Sequence, residues 1–322
     1  YSELDNSWIF SSEIKPILSL INQKPLINNK RLIDFLNDGF LDHTNETFFQ
    51  NINKVAPGSF IKYVPSKKLI SREKWYDLNL KYEEISPLSN IDPYPQRLDK
   101  LKETIENILE ESLLSDFSIA LNISNGTDSG LLQCLIKDLG NTFKSYSQFY
   151  QSDIDPISSY APEDFYDNRF NVQILPNDLV SMFNETHFYQ EEPYSGLFID
   201  GYSLLYKQAR KDGYRVFLDA NGLDEFFFGY EKYKVANYPL KNNSQSIDST
   251  FQPIDLINKE FFLAAKHGKF DELPLIINSV REHAMYDISS FKIPRALRFN
   301  DKVSMSNSCE LRVPFLDHRL LE

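Results

Sequence analysis

Between Trp8 and about Tyr76 the chain sets short apolar runs, Trp8-Ile9-Phe10 and Phe60 to Val64, between turn-forming sequences at Asn28-Asn29 and Ala56-Pro57-Gly58. Runs this short, bounded by Gly, Pro and Asn, predict strands. Residues 77 to 95 carry few apolar anchors and three prolines, Pro87, Pro93 and Pro95. A linker over 79–95 is expected there, dividing a first unit, 1–78, from a second, 96–322. From Gln96 apolar side chains recur at Leu98, Leu101, Ile105, Ile108 and Leu109, one face of a helix that ends near Ser115.

The pattern then alternates. Phe117 to Ile123 is a short apolar run, Ser124 to Ser129 a turn, and Leu131, Leu132, Leu135, Ile136 and Leu139 a helical face closed by Gly140. Thr142 to Tyr150 and Val172 to Leu175 predict strands, and Leu204 to Lys211 predicts a helix. Arg215 to Leu218 predicts a strand that runs into Asp219-Ala220-Asn221-Gly222. Such alternation predicts an α/β unit built on a mostly parallel sheet with right-handed crossovers. Ligands of these sheets bind beyond the carboxyl ends of the strands, where the turns after Ile123 and Leu218 fall. The Asn/Ser-rich stretch Asn237 to Gln252 predicts a surface loop within a region otherwise helical to about Ala284.

Composition narrows the classes. The 42% hydrophobic and 25% charged fractions are those of a globular protein, and 322 residues accommodate one large domain with part or all of another. No apolar run approaches the roughly 20 residues of a membrane-spanning helix, and no basic-then-apolar leader opens the chain, so a cytoplasmic protein without a membrane partner is expected. The opening Tyr1 and the stop at Glu322, just as a helix begins, read as cuts from a longer parent. Cys134 and Cys309 are too few for a disulfide framework, and the five histidines lack metal-ligand spacing. A formal charge of −12 argues against nucleic acid. A phosphate-bearing ligand would have to be held by backbone amides or a divalent cation rather than by a basic surface.

Two loops carry candidate chemistry. In Ser124-Asn125-Gly126-Thr127-Asp128-Ser129-Gly130, small residues at a helix start turn backbone amides inward as an anion cradle, with Asp128 placed to hold a cation beside bound phosphates. The alternative is an Asn-Gly hairpin turn, which the helical pattern after it disfavours. No Gly-Lys-Ser/Thr is present, so this is not the lysine-bearing phosphate loop. In Asp219 to Tyr230 the acidic pair Asp224-Glu225 opens a helix. It either reaches the same cation or only complements the helix dipole.

These loops resemble two motifs of the asparagine synthetase family, Ser-Gly-Gly-x-Asp-Ser and Gly-x-Gly-x-Asp-Glu-x-Phe-x-Gly-Tyr. The stretch Asp301 to Arg319, ending Glu310-Leu311-Arg312-Val313-Pro314-Phe315-Leu316-Asp317-His318-Arg319, is similar to that family almost residue for residue. Glu191-Glu192-Pro193 resembles its Asp-Glu-Pro. Phe10 to Lys15 and Val55 to Gly58 resemble the end of its glutaminase domain.

The resemblance implies a parallel-sheet domain of the adenine nucleotide alpha hydrolase type over 96–322, preceded over 1–78 by the C-terminal part of an N-terminal-nucleophile α+β glutaminase domain. It implies ATP and Mg²⁺, a carboxylate substrate such as aspartate that is adenylated with release of pyrophosphate, and ammonia from glutamine that displaces AMP. Ser124, Asn125, Gly126, Thr127, Asp128, Ser129 and Gly222 would bind ATP and its pyrophosphate, and Asp128 and Asp224 would ligate Mg²⁺. Asp128, Asp224 and Asn221 are the candidate catalytic residues, the segment after Lys144 would wall the adenine side, and Arg312 and Asp317 would shape the rear wall. The family's glutaminase cysteine and a later adenylation lysine lie outside the chain, and a homodimer stays among the assemblies left open.

The chain departs from the family pattern at Asn125, where it has a glycine, and at Asn221, where it has an acid that assists the amine. Leu223 and Phe228 replace small residues and are expected to narrow the pocket. Two other readings remain open: a ligase that joins a different amine, as β-lactam synthetases do, and a non-catalytic nucleotide-binding homologue.

Overall fold

A computed structural model of the chain describes residues 1–4, 7–21, 25–67, 69–85, 93–124, 126–150, 169–194, 198–234, 238–239, 276–277 and 279–322. The contacts divide it into two units, one of residues 1–83, 191–193 and 231–295, the other of residues 84–190, 194–230 and 296–322.

In the first unit β1 (Ser2–Leu4) pairs antiparallel with β2 (Ser7–Ile9), and β3 (Ser59–Val64) with β4 (Leu69–Lys74). Between them lie α1 (Ile14–Leu20) and α2 (Asn29–Asp38), where only strands and turns were expected. The Asn28-Asn29 pair is not a turn. The Asn28 side chain accepts the Arg31 N–H and caps α2, which Gly39 ends at a left-handed φ of 70°. Ile14 and Ile17 of α1 pack on Ile52. The Glu191-Glu192 pair fastens this unit: Glu191 Oε1 accepts the Lys15 N–H at 2.8 Å, and Glu192 Oε1 accepts the Phe48 N–H at 2.9 Å.

Residues expected as linker begin in helix α3 (Leu78–Ile85), whereas Pro87 lies outside the described residues. Of the region expected to be helical up to Ala284, residues 240–275 lie outside the described residues; Ile276–Ile277 forms a strand, β10, paired antiparallel with β9 (Tyr238–Pro239), and a helix runs over Val280–Ser289. Of the loop expected at Asn237 to Gln252, all but Tyr238 and Pro239 lies outside the described residues.

The second unit opens with α4 (Tyr94–Ser112), whose Pro95 stands in the first turn, where its missing N–H costs no helical bond. It continues through β5 (Ile119–Asn122), α5 (Thr127–Asp138), β6 (Lys144–Tyr150), β7 (Arg169–Ile174), α6 (Pro176–Gln190), α7 (Phe198–Lys211), β8 (Val216–Leu218), α8 (Leu223–Phe226) and β11 (Glu310–Arg312). A helix, Lys292–Ser306, precedes β11. The sheet order is β11-β8-β5-β6-β7, all pairs parallel. Val216, Phe217 and Leu218 are buried in sequence, the continuous apolar run expected of a strand covered on both faces.

The core joins Leu109 of α4, Leu121 of β5, Leu132 and Ile136 of α5, Leu218 and Phe315. Arg312 and Asp317, expected to shape a rear wall, serve as ties instead. Arg312 Nη1 donates to the carbonyls of Ser112 and Leu114 at 2.8 Å, and Asp317 caps the helix His318–Leu321 while pairing with Arg319. Their work is to fasten the end of the chain to α4. From β5 the chain moves outward through β6 and β7 and then returns to the other side of β5 as β8. The switch point of the sheet therefore lies between β5 and β8, where a ligand crevice is expected. Among the described residues no helix is long and apolar enough to cross a membrane.

Candidate active site

A cavity of about 420 Å³ opens at that switch point. One wall is the turn after β5. The Ser124 N–H donates to Ser129 Oγ at 3.1 Å, and the Gly126 N–H donates to Ser124 Oγ at 3.1 Å. Ser129 Oγ lies 3.0 Å from the Ser124 carbonyl and 3.1 Å from that of Gly126, so one buried hydroxyl folds the whole turn. Gly126 stands at the N-cap of α5 without a side-chain cap, and the N–H groups of a first helical turn have no acceptor within their own helix. Thr127, Asp128 and Ser129 all line the cavity, as do Ser124 and Gly126. The turn leads directly into α5, which excludes the hairpin alternative. Asn125 lies outside the described residues.

The opposite wall runs on from β8. Gly222 begins α8 at φ +119°, a conformation side chains rarely adopt, and a Cβ there would stand 2.5 Å from Leu316 Cδ2 and 3.1 Å from the Phe315 carbonyl oxygen. Asp224 and Glu225 occupy the first turn of α8, and both line the cavity with Asn221 and Gly222. The Tyr230 phenol stands beside both carboxylates, and burial together with their charge pushes its pKa far above the ordinary phenol range. Gly229 donates its N–H to the Asp224 carbonyl at 2.8 Å. A Cβ at Gly229 would overlap Asp224 Oδ1, so glycine is what lets that carboxylate turn inward. Leu223 and Phe228 do not narrow the pocket as expected. Leu223 joins the apolar core, and Phe228, at a left-handed φ of 57°, is 42% exposed.

The floor was not legible in the sequence. Asn122, the last residue of β5, is 6% exposed, and its Nδ2 donates to Tyr206 Oη at 2.8 Å and to Asp219 Oδ2 at 3.2 Å. Asp219 Oδ1 in turn accepts the Asn221 N–H at 3.0 Å. Burial raises the carboxyl pKa of Asp219 and pushes the Tyr206 phenol well up. The remaining side is formed by Tyr146, Ser147 and Gln148 of β6, the segment expected to wall the adenine, and by Phe198 and Tyr202 of α7. The described residues hold no cluster of three or more His, Cys, Asp or Glu placed to bind a metal by themselves.

Every described candidate residue, Ser124, Gly126, Thr127, Asp128, Ser129, Asn221, Gly222 and Asp224, thus lines one cavity. A family model of asparagine synthase matches residues 100–322, the whole of the sheet and both loops. The chain belongs to the asparagine synthase family.

Along its full length this family member is 22% identical to the glutamine-hydrolyzing asparagine synthetase 3 of Bacillus subtilis (strain 168) and covers 56% of it. It is also 22% identical, again along its full length, to amidase chry2 of Gibberella zeae, of which it covers 58%. It therefore spans a little over half the length of each. Among solved structures, NMN synthetase from Francisella tularensis aligns over 71% of this chain and 92% of its own, at 14% identity and a TM-score of 0.29. That likeness is too slight to bear on the fold, which stands on the five parallel strands.

Proposed function

We propose that the protein adenylates a carboxylate, aspartate first among the candidates, and converts the acyl-adenylate to an amide with ammonia derived from glutamine, releasing AMP and pyrophosphate. The observation that carries this reading is the convergence of the Ser124–Ser129 turn and the Asp224 carboxylate on a single cavity at the switch point of the sheet. In it the amides of the first turn of α5 hold the pyrophosphate portion of ATP, with the Ser124 and Thr127 hydroxyls adding donors and the Ser129 hydroxyl keeping the turn folded. Tyr146 to Gln148 flank the nucleoside.

Asp128 and Asp224 would hold Mg²⁺. The donor set fits: two carboxylates from separate loops are what this ion takes when phosphate oxygens and water complete its octahedron, and no all-protein cage is needed. Bound there, Mg²⁺ would offset the charge that builds on the departing pyrophosphate.

Asn221 sets the terms of the second half-reaction. Its amide can accept a hydrogen bond and orient an amine but cannot take a proton. A nucleophile that arrives uncharged, as free ammonia does, asks no proton removal of this position before attack. Residues 1–78, resembling the end of a glutaminase domain, are the expected side of ammonia supply. The test is product analysis on the protein expressed from its complete gene, supplied with ATP, Mg²⁺, aspartate and either ammonium or glutamine. Stoichiometric AMP, pyrophosphate and asparagine support the assignment. AMP with another carboxylate would change the substrate, and ADP in place of AMP would refute the mechanism.

A further inference from the structure

The amide of Asn122 is held at one end only. Both of its N–H bonds are engaged, by Tyr206 Oη at 2.8 Å and Asp219 Oδ2 at 3.2 Å, and the carboxylate fixes which end of the amide is nitrogen. The other end, Oδ1, is buried and has no hydrogen-bond partner among the described residues, while the residue itself lines the cavity. Buried carbonyls of this kind are rarely left unpaired. The position is set by the sheet. Leu121 and Leu218 are in register across β5 and β8, which places the next residues, Asn122 and Asp219, side by side at the switch point.

We infer that Asn122 Oδ1 is a specificity determinant that accepts a hydrogen bond from an N–H or O–H group on the nucleoside half of the bound nucleotide, with Asp219 and Tyr206 as the residues that position it. The inference rests on the proposed assignment of the cavity to a nucleotide and adds to it the group that is read. An acceptor beside a carboxylate does not hold phosphate or a substrate carboxylate, which bring only acceptors and negative charge. The parts of the nucleotide that carry donors are the ribose hydroxyls and the base amino group. Asn122 precedes Ser124, where the phosphate cradle starts, by two residues, about 7 Å of extended chain. That is the reach from a cradled phosphate to its own sugar and base. Ile123, Ala220 and Tyr146 give this part of the cavity the apolar and aromatic surface a nucleoside needs.

Calorimetric titration of the chain with ATP, 2′-deoxy-ATP, 3′-deoxy-ATP and ITP, each with Mg²⁺, separates the sources, because each analogue lacks one donor. A site built to bond a donor rejects the analogue without it, so at least one analogue should bind the wild type about ten-fold or more weaker than ATP. Asn122→Leu, which keeps the branching at Cγ but removes the Nδ2 donors along with the Oδ1 acceptor, should weaken ATP by at least a similar factor and no longer discriminate ATP from that same analogue. Equal binding of all four nucleotides by the wild type overturns the inference, and so does an Asn122→Leu variant that still discriminates. The analogue series on the wild type decides the matter even if the variant does not fold. A wild type that binds none of the four nucleotides overturns the nucleotide assignment itself, a different result from binding without discrimination.

Discussion

Gly222 and Leu316 touch so closely that no side chain fits between them: a Cβ on the glycine would lie 2.5 Å from Leu316 Cδ2. The contact joins the loop that presents Asp224 to the segment after β11, two motifs far apart in the chain. Gly222→Ala should destabilise the protein by about 2–4 kcal/mol, since it combines a left-handed backbone with an overpacked contact. Leu316→Ala in the same background should recover only the packing part. Denaturant midpoints of the two variants measure both, and a Gly222→Ala variant as stable as the wild type would contradict the geometry.

The Tyr230 hydroxyl stands beside the Asp224 and Glu225 carboxylates, and Glu225 is buried. Tyr230→Phe keeps the ring and removes the donor, and should cost about 1–3 kcal/mol, the usual penalty for leaving a buried acceptor short of a partner. Chemical denaturation gives the value. A neutral effect would mean that water or a neighbouring group replaces the phenol.

Asp219 makes the stability depend on pH in a definite direction. Burial raises its carboxyl pKa above the ordinary 3.8, so the folded state binds that proton more tightly than the unfolded chain does. The associated stabilisation is complete below 3.8 and is lost as the pH rises through the raised folded value. Asp219→Asn removes the titration. Between about pH 4 and pH 7 the wild type should lose stability relative to this variant as pH increases, read from urea midpoints at each pH. A difference that does not change with pH would show that Asp219 ionises as freely folded as unfolded.

The parts of this site legible in the sequence are those whose signal is local. The turn at Ser124–Ser129 and the acidic pair Asp224-Glu225 each sit within a few residues of a strand end and a helix start. The run of apolar residues at Val216 to Leu218 likewise carries its own signal. Asn122 and Tyr206 carry none, and Asp219, though it opens the second loop, is not marked there as their partner. They meet because β8 returns beside β5 and because α7 delivers Tyr206 across the sheet, and an isolated Asn at the end of an apolar strand does not announce a partner nearly a hundred positions away. Asn28-Asn29 departs from its expected turn for a related reason. An Asn before an apolar-periodic run caps a helix as readily as it makes a turn, and the face that decides between them, with Ile33 buried, is settled by packing rather than by the pair itself. Arg312 and Asp317 have the residue types of an active site, but Arg312 bonds Glu310 and the carbonyls of Ser112 and Leu114, and Asp317 pairs with Arg319.

The most direct test of the account is exchange of labelled pyrophosphate into ATP by the protein expressed from its complete gene, with Mg²⁺ and with or without aspartate, for the wild type and for Asp128→Ala. The account predicts exchange that requires a carboxylate substrate and falls by at least about a hundred-fold when Asp128 is replaced, in line with removal of a group that stabilises developing charge. Exchange that persists undiminished in Asp128→Ala, or none from the wild type with any carboxylate, would contradict it.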